Sequence, residues 1–251
     1  MNKIHLLDNG LINKIAAGEV VERPASVVKE LMENSIDAGA TSITVEIAEG
    51  GTSVIKITDN GKGIPKDEIR TAFMRHATSK IDSFEDLENV LTLGFRGEAL
   101  SSIASVAQVE MLTRTENDSM GTRIVINGGV VDREEECAAN VGTVFYVKNI
   151  FFNTPARRKF LKKPATEGSY ISEIVNRIAL GHPNIAIKYV NNGNIVLQTN
   201  GDGNVKNSLF YIYGKDIASK MLSLESEKEG YILKGLVGKP ELSRGNRNYE
   251  N

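Results

Sequence analysis

ERPASVVKELMENSIDAGATSITVEIAEGGTSVIKITDNGKGI, residues 22–64, is the stretch that decides how this chain folds. Its first part reads as a helix from Glu22 to Gly39. Arg23-Pro24 puts a proline near the first helical position, Val27, Val28, Leu31 and Met32 form an apolar stripe, and Gly39 stands where a left-handed C-terminal cap belongs. A strand pair follows. Ile43, Val45 and Ile47 alternate with polar residues, Gly50-Gly51 turns the chain, and Ile55 and Ile57 alternate again until Asp59-Asn60-Gly61 breaks the pattern.

Working outward, Pro65 to His76 reads as a second helix. Residues 77–97 carry little periodic apolar signal and hold Thr78-Ser79-Lys80 and Gly94-Phe95-Arg96-Gly97, the pattern of a long mobile segment with one short helix, which in enzymes is usually a lid or binding loop. A helix from Glu98 to Val106 comes next. From 108 to 148 the chain is strand-like, with Asn127-Gly128 as a two-residue hairpin turn and Gly142 leading into Thr143-Val144-Phe145-Tyr146-Val147. Helices around 155–162 and 166–180 and a hairpin at Asn192-Gly193 complete the order. Helices alternating with hairpin-linked strands predict an α+β sandwich with a mixed, largely antiparallel sheet, not a doubly wound parallel fold. The run Asn200-Gly201-Asp202-Gly203-Asn204 reads as a linker, and the tail beyond it is short for an independent domain.

Composition narrows the function classes. With 251 residues, 41% hydrophobic and 25% charged, no Trp and no apolar run of the roughly 20 residues a membrane span needs, the chain reads as a globular protein of one large or two small domains, with no membrane partner. The start, Met1 to Asp8, lacks the apolar core of a secretory signal, so a cytoplasmic setting is expected. One cysteine, Cys137, forms no internal disulfide, and with His5, His76 and His182 it makes no structural zinc site. A formal charge of −2 does not mark a nucleic-acid binder, so any such role rests on local patches.

Several common site motifs are absent. There is no G-x-x-x-x-G-K-[ST] loop, no complete dinucleotide fingerprint, no H-E-x-x-H and no G-x-S-x-G. Three clusters remain. Glu30, Asn34 and Asp37 fall at i, i+4 and i+7 on one helix face, with Glu33 beside them. A solvated helix face is the ordinary account of such a trio. Yet an amide oxygen at Asn34 is a neutral hard ligand suited to Mg²⁺ on phosphates, and a neighbouring carboxylate can polarise water. Asp59-Asn60-Gly61-Lys62-Gly63-Ile64 is either a plain turn or a carboxylate that accepts from a ligand amine, with glycines that let the ligand approach. Thr92-Leu93-Gly94-Phe95-Arg96-Gly97-Glu98-Ala99-Leu100 runs from glycine-rich backbone into a helix and so offers free N–H groups to an anion, with Lys80 and Arg96 adding positive charge.

Together these residues carry a resemblance. Ile15 to Pro24, Lys29 to Gly39, Asp59-Asn60-Gly61-x-Gly63-Ile64, Arg75-His76-Ala77-Thr78-Ser79-Lys80, Gly94 to Leu100 and Asn153-Thr154-Pro155-Ala156-Arg157-Arg158-Lys159-Phe160-Leu161 closely resemble the N-terminal ATPase region of the MutL family of DNA mismatch repair proteins. That family belongs to the GHKL superfamily, with type II topoisomerase ATPase subunits, ninety-kilodalton heat-shock chaperones and sensor histidine kinases. The Asp59-x-Gly61-x-Gly63 element fits any of these. The Gly94 and Asn153 runs single out MutL.

The resemblance implies a GHKL (Bergerat) two-layer sandwich over residues 1–204, with an N-terminal arm at 1–18 and an ATP lid at 75–100, followed over 205–251 by the start of a transducer domain like ribosomal protein S5. It implies ATP and Mg²⁺ as cofactors. Glu30 would be the general base, Asn34 the Mg²⁺ ligand and Asp59 the acceptor of the adenine amine. Gly63, Ile64 and Thr143 would line the base pocket, while Thr78, Lys80, Leu93, Gly94, Phe95, Arg96, Gly97, Glu98, Ala99 and Leu100 would wrap the phosphates; Glu33 would be structural. It implies slow hydrolysis, lid closure, an ATP-induced N-terminal dimer, the mismatch recognition protein MutS and DNA as partners, and a cytoplasmic, nucleoid-associated protein. The resemblance also implies a further catalytic lysine from the second domain, expected past residue 251. DNA candidates are Arg244 and Arg247, then Arg157, Arg158 and Lys159 with Lys162 and Lys163, a solvated helix face being an equal account of the latter five. Two other readings are a nucleotide-gated scaffold with little hydrolysis and the ATPase domain of another GHKL protein such as a topoisomerase subunit.

Overall fold

The computed structural model describes residues 10, 12, 17, 18, 20–78 and 97–243. Most of the segment expected as an arm (1–18), most of that expected as a lid (75–100) and the residues from 244 onward therefore lie outside the described residues, and with them Lys80, Leu93, Gly94, Phe95, Arg96, Arg244 and Arg247.

Helix α1 (Pro24–Asp37) forms as the stripe predicts. Pro24 takes a first-turn position where a missing N–H costs nothing, and the face carrying Val27, Val28, Leu31, Met32 and Ser35 is buried. Gly39, at φ +76°, ends it. Strands β1 (Ser42–Ala48) and β2 (Val54–Asp59) then pair antiparallel across the Glu49–Gly51 turn, with Ile43, Val45, Ile47, Ile55 and Ile57 pointing inward. In place of the helix expected over Pro65–His76 there is a 3₁₀ turn (Lys66–Glu68) and a single helical turn, α2 (Ile69–Ala72). Only Ile69 is buried in these two turns, too little apolar contact to sustain a longer helix.

Helix α3 (Ala99–Val106) leads into β3 (Gln108–Arg114), β4 (Gly121–Asn127), β5 (Val130–Cys137) and β6 (Gly142–Lys148). The β4–β5 turn is Gly128-Gly129, one residue later than the sequence suggests. Both glycines have positive φ, as the favoured hairpin turn requires, and Asn127 is left to pair with Val130. Helices α4 (Pro155–Phe160) and α5 (Pro164–Gly181) are separated at Leu161–Lys163, since a residue before proline avoids the helical region; Lys163 sits at φ −59°, ψ 149°. Strands β7 (Ala186–Asn191) and β8 (Asn194–Gln198) turn at Asn192-Gly193 as predicted.

The eight strands lie in the order β5-β4-β3-β6-β2-β1-β7-β8, every neighbouring pair antiparallel except β1 with β7. This is the mixed, largely antiparallel sheet of the predicted α+β class. Helices α1, α3 and α5 cover one face, with Phe151 and Tyr189 fully buried in the single core. The opposite face carries a chain of charges: Lys56 to Glu46 at 2.6 Å, Lys148 and Arg123 to Glu110 at 3.0 and 2.8 Å, Arg123 to Glu135 at 2.7 Å, and Lys56 and Lys148 over the Tyr146 ring.

The Asn200–Asn204 run is tied to the body. Gly203 N–H donates to Pro183 O, and Gly201, at φ +67°, abuts the Ala186 backbone. Asn204 then caps helix α6 (Val205–Tyr213) by accepting from Lys206 N–H, and α6 packs on α5 and β8. After α7 (Lys215–Ala218), strands β9 (Met221–Lys228) and β10 (Tyr231–Gly238) form a separate two-stranded sheet whose apolar side chains, among them Leu222, Tyr231, Ile232 and Leu233, are exposed.

Candidate functional site

In four neighbouring strands the inward register of apolar residues ends in a polar one at the same end of the sheet. β2 runs Ile55, Ile57, Asp59; β6 runs Val147, Phe145, Thr143; β3 runs Val109, Met111, Thr113; β4 runs Ile126, Ile124, Thr122. Register places these four side by side: Asp59 opposite Thr143, Thr143 opposite Thr113, Thr113 opposite Thr122. All four are buried. Helix α1 repeats the device, its stripe closing on buried Ser35.

Asp59 is the centre of this polar row. Its Oδ2 accepts from Ser35 Oγ at 2.8 Å and its Oδ1 from Gly61 N–H at 2.9 Å, and the Thr143 N–H also donates to the carboxylate. Burial pushes the Asp59 carboxyl above its ordinary value, and these three donors partly offset the rise. A buried carboxylate held by fixed donors keeps its remaining lone pairs for a ligand donor, the geometry an amino group needs.

The loop after Asp59 is shaped by what cannot fit there. Gly63 has φ +72°, and a Cβ on it would run into the Arg114 carbonyl; Gly142, at φ +117°, is closed off in the same way by the Asp59 carbonyl. Gly61 lies where a Cβ would be 2.9 Å from Ala38 Cβ. Ile64 N–H donates to Thr113 Oγ1 at 2.9 Å, which ties the loop to β3. Asn60 is a structural pin. Its Oδ1 accepts from Thr41 and Ser42 N–H, and its Nδ2 donates to Thr41 Oγ1.

Glu30, Asn34 and Asp37 are half-buried along α1, on the helix that carries Ser35 to Asp59. Lys29 Nζ lies 3.2 Å from Glu30 and 3.0 Å from Glu33, so Glu33 is held by an i,i+4 ion pair, and burial raises its carboxyl above the ordinary value. Among the described residues no cluster of three His, Cys, Asp or Glu side chains could cage a metal. A magnesium ion bound mainly by phosphates needs only one or two protein oxygens, which fits the Asn34 amide.

The two described ends of the 75–100 segment come together. Glu98 Oε1 lies 3.3 Å from His76 Nδ1 and 3.9 Å from Arg75, and Gly97, at φ +60°, leaves no room for a Cβ against the Ala77 backbone. Thr78 and Gly97 to Leu100 thus stand at the two ends of that segment, with Ala99 and Leu100 opening α3. Of the basic candidates, Arg158, Lys159, Lys162 and Lys163 are exposed, but Arg157 is turned inward. Its guanidinium lies 5.5 Å from the Phe151 ring centroid and fills the space a Cβ on Gly18 would need. An open cleft of about 480 Å³ lined by Lys66, Asp67, Arg70, Asp118 and Glu134 includes no predicted site residue, and two of its cations are paired, Lys66 with Glu136 and Arg70 with Glu134.

Motif reading missed Ser35 and Thr113. Their signal was present as a polar residue in the last inward position of an apolar register, which alternation alone files under core.

Residues 22–141 match the family model described as histidine kinase-, DNA gyrase B- and HSP90-like ATPase. The chain is 56% identical over all 251 residues to the DNA mismatch repair protein MutL of Agathobacter rectalis, and 52% identical over 250 residues to that of Caldanaerobacter subterraneus subsp. tengcongensis. It spans 39% and 42% of their lengths, about two fifths of each. Among solved structures, the Aquifex aeolicus MutL ATPase domain complexed with ADP aligns with a TM-score of 0.72 at 30% identity, over 90% of this chain and 80% of that one.

Proposed function

The chain belongs to the MutL family of DNA mismatch repair proteins, carrying the family's ATPase region in a GHKL fold, and from that premise we propose that it binds Mg-ATP beside the Asp59 row and hydrolyses it slowly. The observation that carries this reading is the buried Asp59 carboxylate, oriented by Ser35, Gly61 and Thr143 at the mouth of a glycine loop that admits no Cβ. An acceptor-only group in that setting suits the adenine amine.

In the proposed reaction Glu30 accepts a proton from the water that attacks the terminal phosphate, and Asn34, one helical turn on, would hold the magnesium ion. When bound, that ion supplies charge neutralisation on the phosphates. Gly97 to Leu100, where backbone enters α3, present N–H groups to the phosphate chain, with Lys80 and Arg96 as the cationic wrap. In this reading 1–204 is the ATPase domain and 205–251 the start of a transducer domain; the separate β9–β10 sheet supports a second unit, while α6 packs on α5 and β8 of the first. Lid closure, an N-terminal dimer, and contact with MutS and DNA in the cytoplasm complete the proposal. The exposed Arg158 and Lys159 remain the described DNA candidates, with Arg244 and Arg247 beyond them.

Calorimetry with a non-hydrolysable ATP analogue and Mg²⁺, paired with light scattering, tests the reading. Binding lost in Asp59→Asn is the expected result, and equal affinity in the variant removes Asp59 from the pocket. Dimerisation on binding the analogue, with no phosphate released from ATP itself in a parallel assay, favours the nucleotide-gated scaffold.

A further inference from the structure

The structure assigns to Thr113 a part in choosing the ligand: we propose that it fixes the hydrogen-bond polarity of the Thr143 hydroxyl and so helps the pocket select a 6-amino over a 6-oxo purine. The inference rests on the ATP-site reading above and adds a specificity-determining residue to it.

Thr113 is 1% exposed, and its hydroxyl oxygen has three neighbours at bonding distance: Ile64 N at 2.9 Å, Gly142 O at 3.1 Å and Thr143 Oγ1 at 3.1 Å. A hydroxyl has one proton and two lone pairs. Ile64 N–H can only donate, so it takes one lone pair. The Gly142 carbonyl can only accept, so it takes the single proton. What remains at Thr113 is one lone pair, and Thr143 must donate into it for all three bonds to form. The opposite arrangement, with Thr113 donating to Thr143, forms two bonds and leaves a buried lone pair empty, so the three-bond arrangement wins around a hydroxyl on a residue this deeply buried.

Thr143, its proton committed to Thr113, turns only lone pairs toward the pocket. Its cross-strand neighbour Asp59 is a carboxylate and also presents acceptors. Two adjacent acceptors welcome a donor such as an exocyclic amine or a water proton, and oppose a carbonyl oxygen. Thr113 touches no ligand in this account and acts through Thr143, as a positioning residue.

The test compares ADP with inosine diphosphate, which carries oxygen in place of the 6-amino group, by calorimetry on the whole chain. Thr113→Val keeps the shape and removes the hydroxyl, which frees the Thr143 proton to meet a carbonyl. The ratio of the two dissociation constants should fall about tenfold, the usual size of one misdirected buried hydrogen bond. Thr113→Ser keeps the hydroxyl and should keep the wild-type ratio. An unchanged ratio in a folded Thr113→Val, an equal weakening of both ligands, or loss of the ratio in Thr113→Ser as well, each overturns the proposal. Equal affinities in the wild type overturn it while leaving the ATP site standing; no binding of either nucleotide sinks both. Should Thr113→Val fail to fold, the Thr143 hydroxyl proton decides in the wild type by NMR. Slow exchange with an Overhauser contact to Thr113 supports the assignment, and fast exchange with water overturns it.

Discussion

Replacing Ser35 by alanine removes one oxygen from a buried site, and its cost should depend on pH. Ser35 Oγ donates to Asp59 Oδ2 at 2.8 Å in a residue 4% exposed. A hydrogen bond to a charged partner is worth roughly 1.5–3 kcal/mol, one to a neutral partner about 1 kcal/mol. Alanine returns about 0.5 kcal/mol through its better helix propensity. The expected net loss is therefore about 2 kcal/mol with Asp59 ionised and about 0.5 kcal/mol with it protonated. The Asp59 carboxyl already titrates above the ordinary 3.8 because of burial, and deleting a donor that favours the charged form raises it further in the folded state alone. Proton binding is then stronger in the folded variant than in the folded wild type. The deficit of the variant is accordingly smallest near and below 3.8, grows as pH rises through the raised values, and is constant above them. By thermal unfolding, with 2–4 °C per kcal/mol for a chain of this size, Ser35→Ala should melt roughly 4–8 °C below wild type at pH 8, and the gap should narrow as the pH is lowered through the raised Asp59 value. An equal gap across that range, or a wider one in acid, refutes the coupling between Ser35 and the Asp59 charge.

Two further outcomes follow from the same site. Glu30→Ala should abolish phosphate release while leaving the calorimetric affinity for ATP within about twofold, because Glu30 is assigned to the attacking water and not to binding; unchanged turnover removes it as the base. Gly63→Ala should lose nucleotide binding and destabilise the fold by about 2 kcal/mol or more, since it meets both a positive φ and the Arg114 carbonyl. Wild-type melting of that variant in urea would show that the loop yields to accommodate a Cβ.

The fold was legible where periodicity is local. The α1 stripe, the Gly50-Gly51 and Asn192-Gly193 turns and the alternating strands each repeat a pattern within a few residues, and each formed as read. What alternation does not encode is which strands lie side by side. β3 joins β6 and β1 joins β7 through packing of whole elements, and no short window carries that choice. The Pro65–His76 helix failed because propensity without an apolar face does not hold a helix together. At Asn127-Gly128-Gly129 three turn-forming residues stand in a row, and the paired register, not composition, picks the last two. In the candidate site the Asp59–Ile64 motif brought Asp59 and Gly63 into view, since a glycine-rich loop after an apolar strand advertises itself, whereas Thr143 came only with the family resemblance. Ser35 and Thr113 were hidden because their neighbours in the chain are core residues, and only the register across four strands reveals that the polar ends meet.

The parallel pairing of β1 with β7 has a consequence for synthesis on the ribosome. Ser42 and Ala186, adjacent in the sheet, are 144 residues apart in the chain. At about 5–20 residues per second, β1 waits roughly 7–30 s for its second neighbour to be made. During that interval its backbone is an open edge, able to pair with another nascent chain. β2 satisfies the other side early, yet the outer edge stays unclosed until the crossover through α5 is complete. Folding of this sheet is therefore paced by translation, and the most aggregation-exposed moment of its life is fixed by topology and not by the stability of the finished molecule.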